Sequence, residues 1–113
     1  MKSKILALSK NEEFKNLLKQ KKIGNKYVSI FFGKLANKDK KRLNISFVTK
    51  KKIGNAVKRN KIKRRLRNIM NEAVKKITIN SNYSFLVIAK SSMLNNEYKI
   101  IKETLFQDFA KIK

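Results

Sequence analysis

The spacing of apolar positions divides the chain into helical and extended stretches. Phe14, Leu17 and Leu18 fall at helical intervals behind Ser9, Lys10, Asn11 and Glu12, which read as a capping box. Glu12 and Glu13 suit the positive end of that first helix. After a basic turn marked by Gly24, the β-branched and aromatic run YVSIFFGK, Tyr27 to Lys34, predicts a strand. The alternation of Leu43, Ile45 and Phe47 in LNISFVTK predicts a second, with the polar stretch Ala36 to Arg42 as the loop between them. Ile62, Leu66, Ile69, Met70, Ala73 and Ile77 then repeat at helical spacing over about four turns, the longest amphipathic helix in the chain. SFLVIAK, Ser84 to Lys90, is a continuous apolar run, as expected of a strand covered on at least one face and central in its sheet. From Asn96, helical spacing returns through Tyr98, Ile101, Leu105, Phe109 and Ile112.

The order helix, strand, strand, helix, strand, helix predicts an α+β fold, a two-layer sandwich with helices packed on one small sheet. A chain of 113 residues suits a single domain over 1–113 with one modest core. There is no internal repeat, no low-complexity segment and no proline. The apolar opening ILAL is too short for the hydrophobic region of a signal peptide, and no run approaches the roughly 20 apolar residues of a membrane span. A soluble, cytoplasmic protein is expected.

Charge changes this picture most. Against 30 Lys and Arg stand 7 Asp and Glu, a formal net charge of +23, and such self-repulsion opposes a compact state until a polyanion neutralises it. Cysteine and histidine are both absent, which excludes disulfides, thiolate nucleophiles, imidazole bases and zinc-finger ligation. The cations concentrate in KKIGNAVKRNKIKRRLRN, Lys51 to Asn68, within a span that has no acidic residue between Asp39 and Glu72. At about 100° per residue, Asn60, Lys63, Arg64 and Arg67 form one stripe, roughly opposite Ile62, Leu66, Ala73 and Ile77. Like-charge neighbours such as Arg59 with Lys63, Lys61 with Arg64 and Lys63 with Arg67 cost ~0.2 to 0.5 kcal/mol each, about 1 to 3 kcal/mol over the helix. The helix dipole adds to this cost in the first turns.

A solvated charged face is the plainest account of such a run, but mixed signs would serve solubility better. Arginine forks suit phosphates and base edges. An anionic membrane surface is a second alternative; the apolar stripe, with Ile, Leu, Met and Ala and no aromatic, suits a sheet better than lipid. A DNA-reading helix-turn-helix lacks its partner helix before Gly54 and Asn55. The pattern favours RNA.

GNAVKRNKIKRRLR, Gly54 to Arg67, resembles the signature of the bacterial ribonuclease P protein subunit, A-V-x-R-N-x-x-K-R-x-x-R, at every fixed position: Ala56, Val57, Arg59, Asn60, Lys63, Arg64 and Arg67. LSKNEEF, SFVTKKKIGNAV and FLVIAK resemble the family's layout on either side. The resemblance implies a ribosomal protein S5 domain 2-like fold, with helices on a small mixed sheet and a left-handed β-α-β crossover where general handedness rules would favour the right-handed form. It also implies a ribonucleoprotein endonuclease that removes the 5′ leader of precursor tRNA. Its RNA subunit, with bound Mg2+, performs the hydrolysis, and the protein holds no cofactor of its own.

By the same resemblance, Arg59, Asn60, Lys63, Arg64 and Arg67 would bind the catalytic RNA, with Lys51, Lys52 and Asn55 in the loop beside them. The partners would be that RNA and precursor tRNA, with no membrane and no small-molecule substrate. The leader would lie in a cleft between the first helix and the sheet. Phe14 matches the family's aromatic on that helix, whereas Leu18 stands where a second aromatic is common. On the first strand the exposed aromatic corresponds to Ile30 or Phe31, and period two groups Tyr27, Ser29 and Phe31. Tyr27 and Phe31 are the cleft candidates, beside the alternative that each is an ordinary core ring. Adjacent Glu12 and Glu13 would diverge on a helix, and no other carboxylates pair, so no catalytic residue is expected in the protein. A structural ribosomal or RNA-chaperone protein fits the same composition.

Overall fold

The computed structural model describes residues 5–8, 11–35, 42–80 and 82–112. Eight elements follow in chain order: β1 (Ile5–Leu6), α1 (Asn11–Leu18), β2 (Lys21–Gly24), β3 (Val28–Gly33), β4 (Leu43–Val48), α2 (Ala56–Lys76), β5 (Ser84–Ala89) and α3 (Tyr98–Lys111). Glu12 and Glu13 occupy the first turn of α1 as expected. The proposed capping residue Ser9 lies outside the described residues, as does most of the loop 36–42.

The strands form one mixed sheet in the order β1-β4-β5-β3-β2. The apolar run of β5 is central, as its composition predicts. It pairs parallel with β4, from Asn44 opposite Ser84 to Val48 opposite Ile88, and antiparallel with β3, from Val28 opposite Ala89 to Gly33 opposite Ser84. The two strands read as neighbours along the chain therefore flank β5 and do not pair with each other. β4 and β5 are parallel neighbours joined through α2, a β-α-β unit.

Alternation along the strands sorts side chains to two faces. Val28, Ile30, Phe32, Leu43, Ile45, Phe85, Val87 and Ala89 pack with Ile62, Leu66, Ile69, Met70 and Ala73 of α2 and Ile101, Leu105 and Phe109 of α3. Phe85 is the hub of this layer, edge-on to Phe109 at 5.3 Å between centroids. On the other face, Leu17 of α1 is buried with Leu8 and Leu86, bordered by Phe14, Phe31, Leu35, Val48 and Ile88. The α+β sandwich of helices on a small mixed sheet is what forms, with one addition to the layering: α1 covers the face opposite α2 and α3.

Two strands carry no period-two signal. β2 is a basic edge strand, Lys21 to Gly24, in which Ile23 alone is half-buried, and lysines on an edge discourage pairing with other chains. β1 is two residues long and pairs parallel with Leu43 and Asn44. Between β2 and β3 the chain turns on Asn25, whose Oδ1 accepts from the Tyr27 and Val28 amides at 2.7 and 3.0 Å. Its Nδ2 donates to Asp108 of α3 at 2.6 Å, and its carbonyl accepts from Lys90 Nζ at 2.6 Å. This one side chain closes the hairpin and ties it to α3.

Truncation of Leu66, fully buried, to Ala is expected to lower unfolding free energy by about 2 to 5 kcal/mol. Val57→Ala, at a side chain 76% exposed on the same helix, should stay within about 0.5 kcal/mol of the parent. Urea denaturation of the two variants checks the contrast.

Candidate nucleic-acid interface

The basic helix is set in place by the turn before it. Lys51–Ile53 form a 3-10 turn with both lysines exposed, ended by Gly54 at φ +158° and ψ −168°. That conformation is close to glycine-only, and a Cβ there would lie 2.8 Å from Lys58 Cδ. Asn55 follows as the N-cap of α2, its Oδ1 accepting from the Lys58 amide at 3.0 Å. The residue expected to face RNA from the loop thus commits its acceptor to the helix.

Along α2 the apolar stripe is buried and the polar stripe open. Asn60, Arg64 and Arg67 are exposed, while Lys63 and Arg59 are half-buried. The Arg59 Nε is buried with no hydrogen-bond partner. Arg65 has a different job, donating through Nη1 to the Met93 carbonyl at 3.2 Å. Glu72, on the same flank of α2, pairs with Lys102 of α3 at 3.3 Å. Hence the flank of α2 toward α3 is compensated, and the flank away from it is left cationic.

That cationic flank borders a cleft of about 420 Å³, lined by Lys63, Arg67 and Asn71 of α2, Phe14 of α1, Ile45 to Val48 of β4, and Ile5 and Ala7. The cleft follows from the shortness of β1. Because β1 pairs only with Leu43 and Asn44, the outer edge of β4 from Ile45 onward has no strand partner among the described residues. The chain beyond β1 touches this edge through the Leu8 amide, which donates to Ser46 Oγ at 2.8 Å.

The residues expected in a leader cleft separate in the structure. Phe14 lines it; Leu18 does not, and is 47% exposed on α1. Phe31 is half-buried on the α1 face, with Lys22 Nζ 5.4 Å from its ring centroid. Tyr27 is corrected: it is 4% exposed in the core shared with α2 and α3. The turn held by Asn25 reorients the chain just before Val28, so strand alternation does not extend back to Tyr27. Sequence reasoning did not bring Phe47, Ser46 and Asn71 to the cleft. Phe47 continues the buried alternation of Leu43 and Ile45, and nothing in the sequence shows that cover stops there. Among the described residues no group of three carboxylates converges as a metal site would require.

The chain from residue 3 to 113 matches the family model for Ribonuclease P. It is 35% identical over 102 residues to the ribonuclease P protein component of Carboxydothermus hydrogenoformans, covering 87% of this chain and 83% of that one. With the counterpart from Fusobacterium nucleatum the identity is 34% over 111 residues, covering 94% and 96%. Among solved structures, the RNase P protein from Thermotoga maritima superposes with a TM-score of 0.79 at 22% identity, over 96% of this chain and 98% of that one. One from Staphylococcus aureus gives 0.73 at 28% identity, over 94% and 95%.

The cap and a nucleic-acid contact at Asn55 are separable. Asn55→Ala should cost about 0.5 to 2 kcal/mol of stability and speed hydrogen exchange at the Lys58 amide. Asn55→Asp should restore both, since a carboxylate caps equally well and suits the helix N-terminus. Denaturation and amide exchange of the free protein check this.

Proposed function

The chain belongs to the ribonuclease P protein family, and from that premise we propose that it is the protein subunit of a cytoplasmic ribonucleoprotein that removes the 5′ leader from precursor tRNA. α2 and the loop before it lie on the catalytic RNA, and the cleft beside α1 receives the leader. The observation that carries this reading is a shared pair of residues. Lys63 and Arg67 belong both to the cationic stripe of α2 and to the lining of the cleft, so one continuous basic surface serves two RNA segments.

Arg59, Asn60, Lys63, Arg64 and Arg67, with Lys51 and Lys52, contact the catalytic RNA in this proposal. Phosphates would offset the repulsion along α2 and its unfavourable dipole. Hydrolysis belongs to the RNA and its Mg2+, for which the described carboxylates form no cluster. The protein's share is positional: it neutralises phosphate charge and holds the leader's path next to the RNA that cuts it. No described helix is long and apolar enough to cross a membrane.

Reconstitution of the chain with a ribonuclease P RNA should stimulate precursor tRNA cleavage at low magnesium; absence of stimulation over the RNA alone would sink the proposal. A ribosomal or chaperone-like RNA binder would instead bind precursor tRNA in the complex equally well with a long or a shortened leader. Arg64→Ala and Arg67→Ala should weaken binding to the RNA subunit. Each should also make the slope of log affinity against log salt shallower, by about 0.7 to 0.9 for every phosphate the variant no longer neutralises. An unchanged slope in both variants would count against direct phosphate binding.

A further inference from the structure

Single-stranded RNA is held by stacking its bases on aromatic faces while cations track its backbone. Of the aromatic side chains, two line the cleft, Phe14 on α1 and Phe47 on β4. The other candidates do not line it: Tyr27 is 4% exposed within the core under α2 and α3, Phe31 is packed beside Leu17 and Leu86 under Lys22, and position 18 is an exposed leucine outside the cleft.

Phe47 stands where cover gives out along its strand. Leu43 and Ile45, which precede it on the same face of β4, are 5% and 1% exposed, whereas Phe47 is half-buried, packed on one side against the core under α2 and lining the cleft on the other. An aliphatic side chain would satisfy a position that only seals the core. An aromatic ring at the open end, in a cleft that also holds Lys63 and Arg67, matches the pairing of a stacking surface with phosphate-binding cations. Asn71, one helical turn beyond Arg67 and in the same lining, adds an amide that both donates and accepts, suited to a base edge or a 2′-hydroxyl.

We propose that an unpaired nucleotide of the substrate's leader stacks on Phe47 at the edge of the cleft, beside Lys63 and Arg67. The proposal rests on the leader-cleft reading above. It assigns a substrate contact to a residue whose sequence pattern points only to the core.

The test uses the holoenzyme reconstituted from this chain and a ribonuclease P RNA. Its substrates are precursor tRNAs with either a long single-stranded leader carrying 2-aminopurine or a one-nucleotide leader. Phe47→Leu should weaken binding of the long-leader substrate by about 5- to 150-fold, the range that stacking energies imply, and leave the short-leader substrate unchanged. Phe47→Tyr should bind like the parent. Fluorescence of 2-aminopurine should be quenched by the parent and the tyrosine variant and recover with leucine. Equal loss on both substrates, or quenching that survives in Phe47→Leu, overturns the assignment. If the parent itself ignores leader length while still stimulating cleavage, the leader-cleft reading falls along with it. Should Phe47→Leu melt far below the parent, benzoylphenylalanine at position 47 serves instead: photocrosslinks to the leader are expected, and their absence overturns the proposal.

Discussion

Everything in this molecule hangs on α2 being held by its apolar stripe while its other side carries uncompensated charge. Ile62, Leu66, Ile69 and Met70 are fully buried against the sheet. At ~1.5 to 3 kcal/mol for each large apolar side chain, their burial contributes about 6 to 12 kcal/mol, against the ~1 to 3 kcal/mol of like-charge repulsion along the helix. Burial wins by enough that the cations need no acidic partners nearby. They can remain bare toward an anionic partner.

The distribution of charge follows the same division. Glu103 and Asp108 lie on α3, Glu97 immediately precedes it, and Glu72 sits on the flank of α2 facing it, where Arg65 also bonds the Met93 carbonyl. The Glu72–Lys102 pair is partly solvated, at 40% and 26% side-chain exposure, and such a pair adds little stability. Its larger effect is to keep the α3 flank of α2 mixed in sign while the stripe of Lys63, Arg64 and Arg67 has no acid on its own helix before Glu72; the acids of α1, Glu12 and Glu13, stand at that helix's first turn. Long-range attraction would therefore present α2 and the cleft, not α3, to a polyanion.

How much of this was legible in the sequence depended on whether an element carried its own periodicity. α2, α3 and β5 announced themselves through Ile62 to Ala73, Ile101 to Phe109 and the SFLVIA run, and every buried residue on those helix faces was readable. β2, with one half-buried residue, and the two-residue β1 had no pattern to read; they exist because β3 and β4 offer edges to pair with. The cationic part of the site was equally plain, since spacing alone aligns Asn60, Lys63, Arg64 and Arg67. The cleft was not. Its floor is the edge of β4 left open by a strand that ends early, and its second ring is a residue whose alternation says core. Tyr27 failed for a related reason: a turn centred on Asn25 broke the period that would have carried it to the other face.

The placement of β5 between β3 and β4 has a consequence for synthesis on the ribosome. The β2–β3 hairpin and the β1–β4 pair cannot join into one sheet by themselves, because β3 and β4 each pair with the strand that ends at Ala89. Folding of the main core must then await nearly four-fifths of the 113-residue chain, and pairing over such sequence distances is slow. Until it completes, the nascent chain is a polycation without its apolar anchor, emerging into surroundings rich in RNA. Translation order thus makes charge neutralisation by nucleic acid a condition the chain meets before it has a native shape.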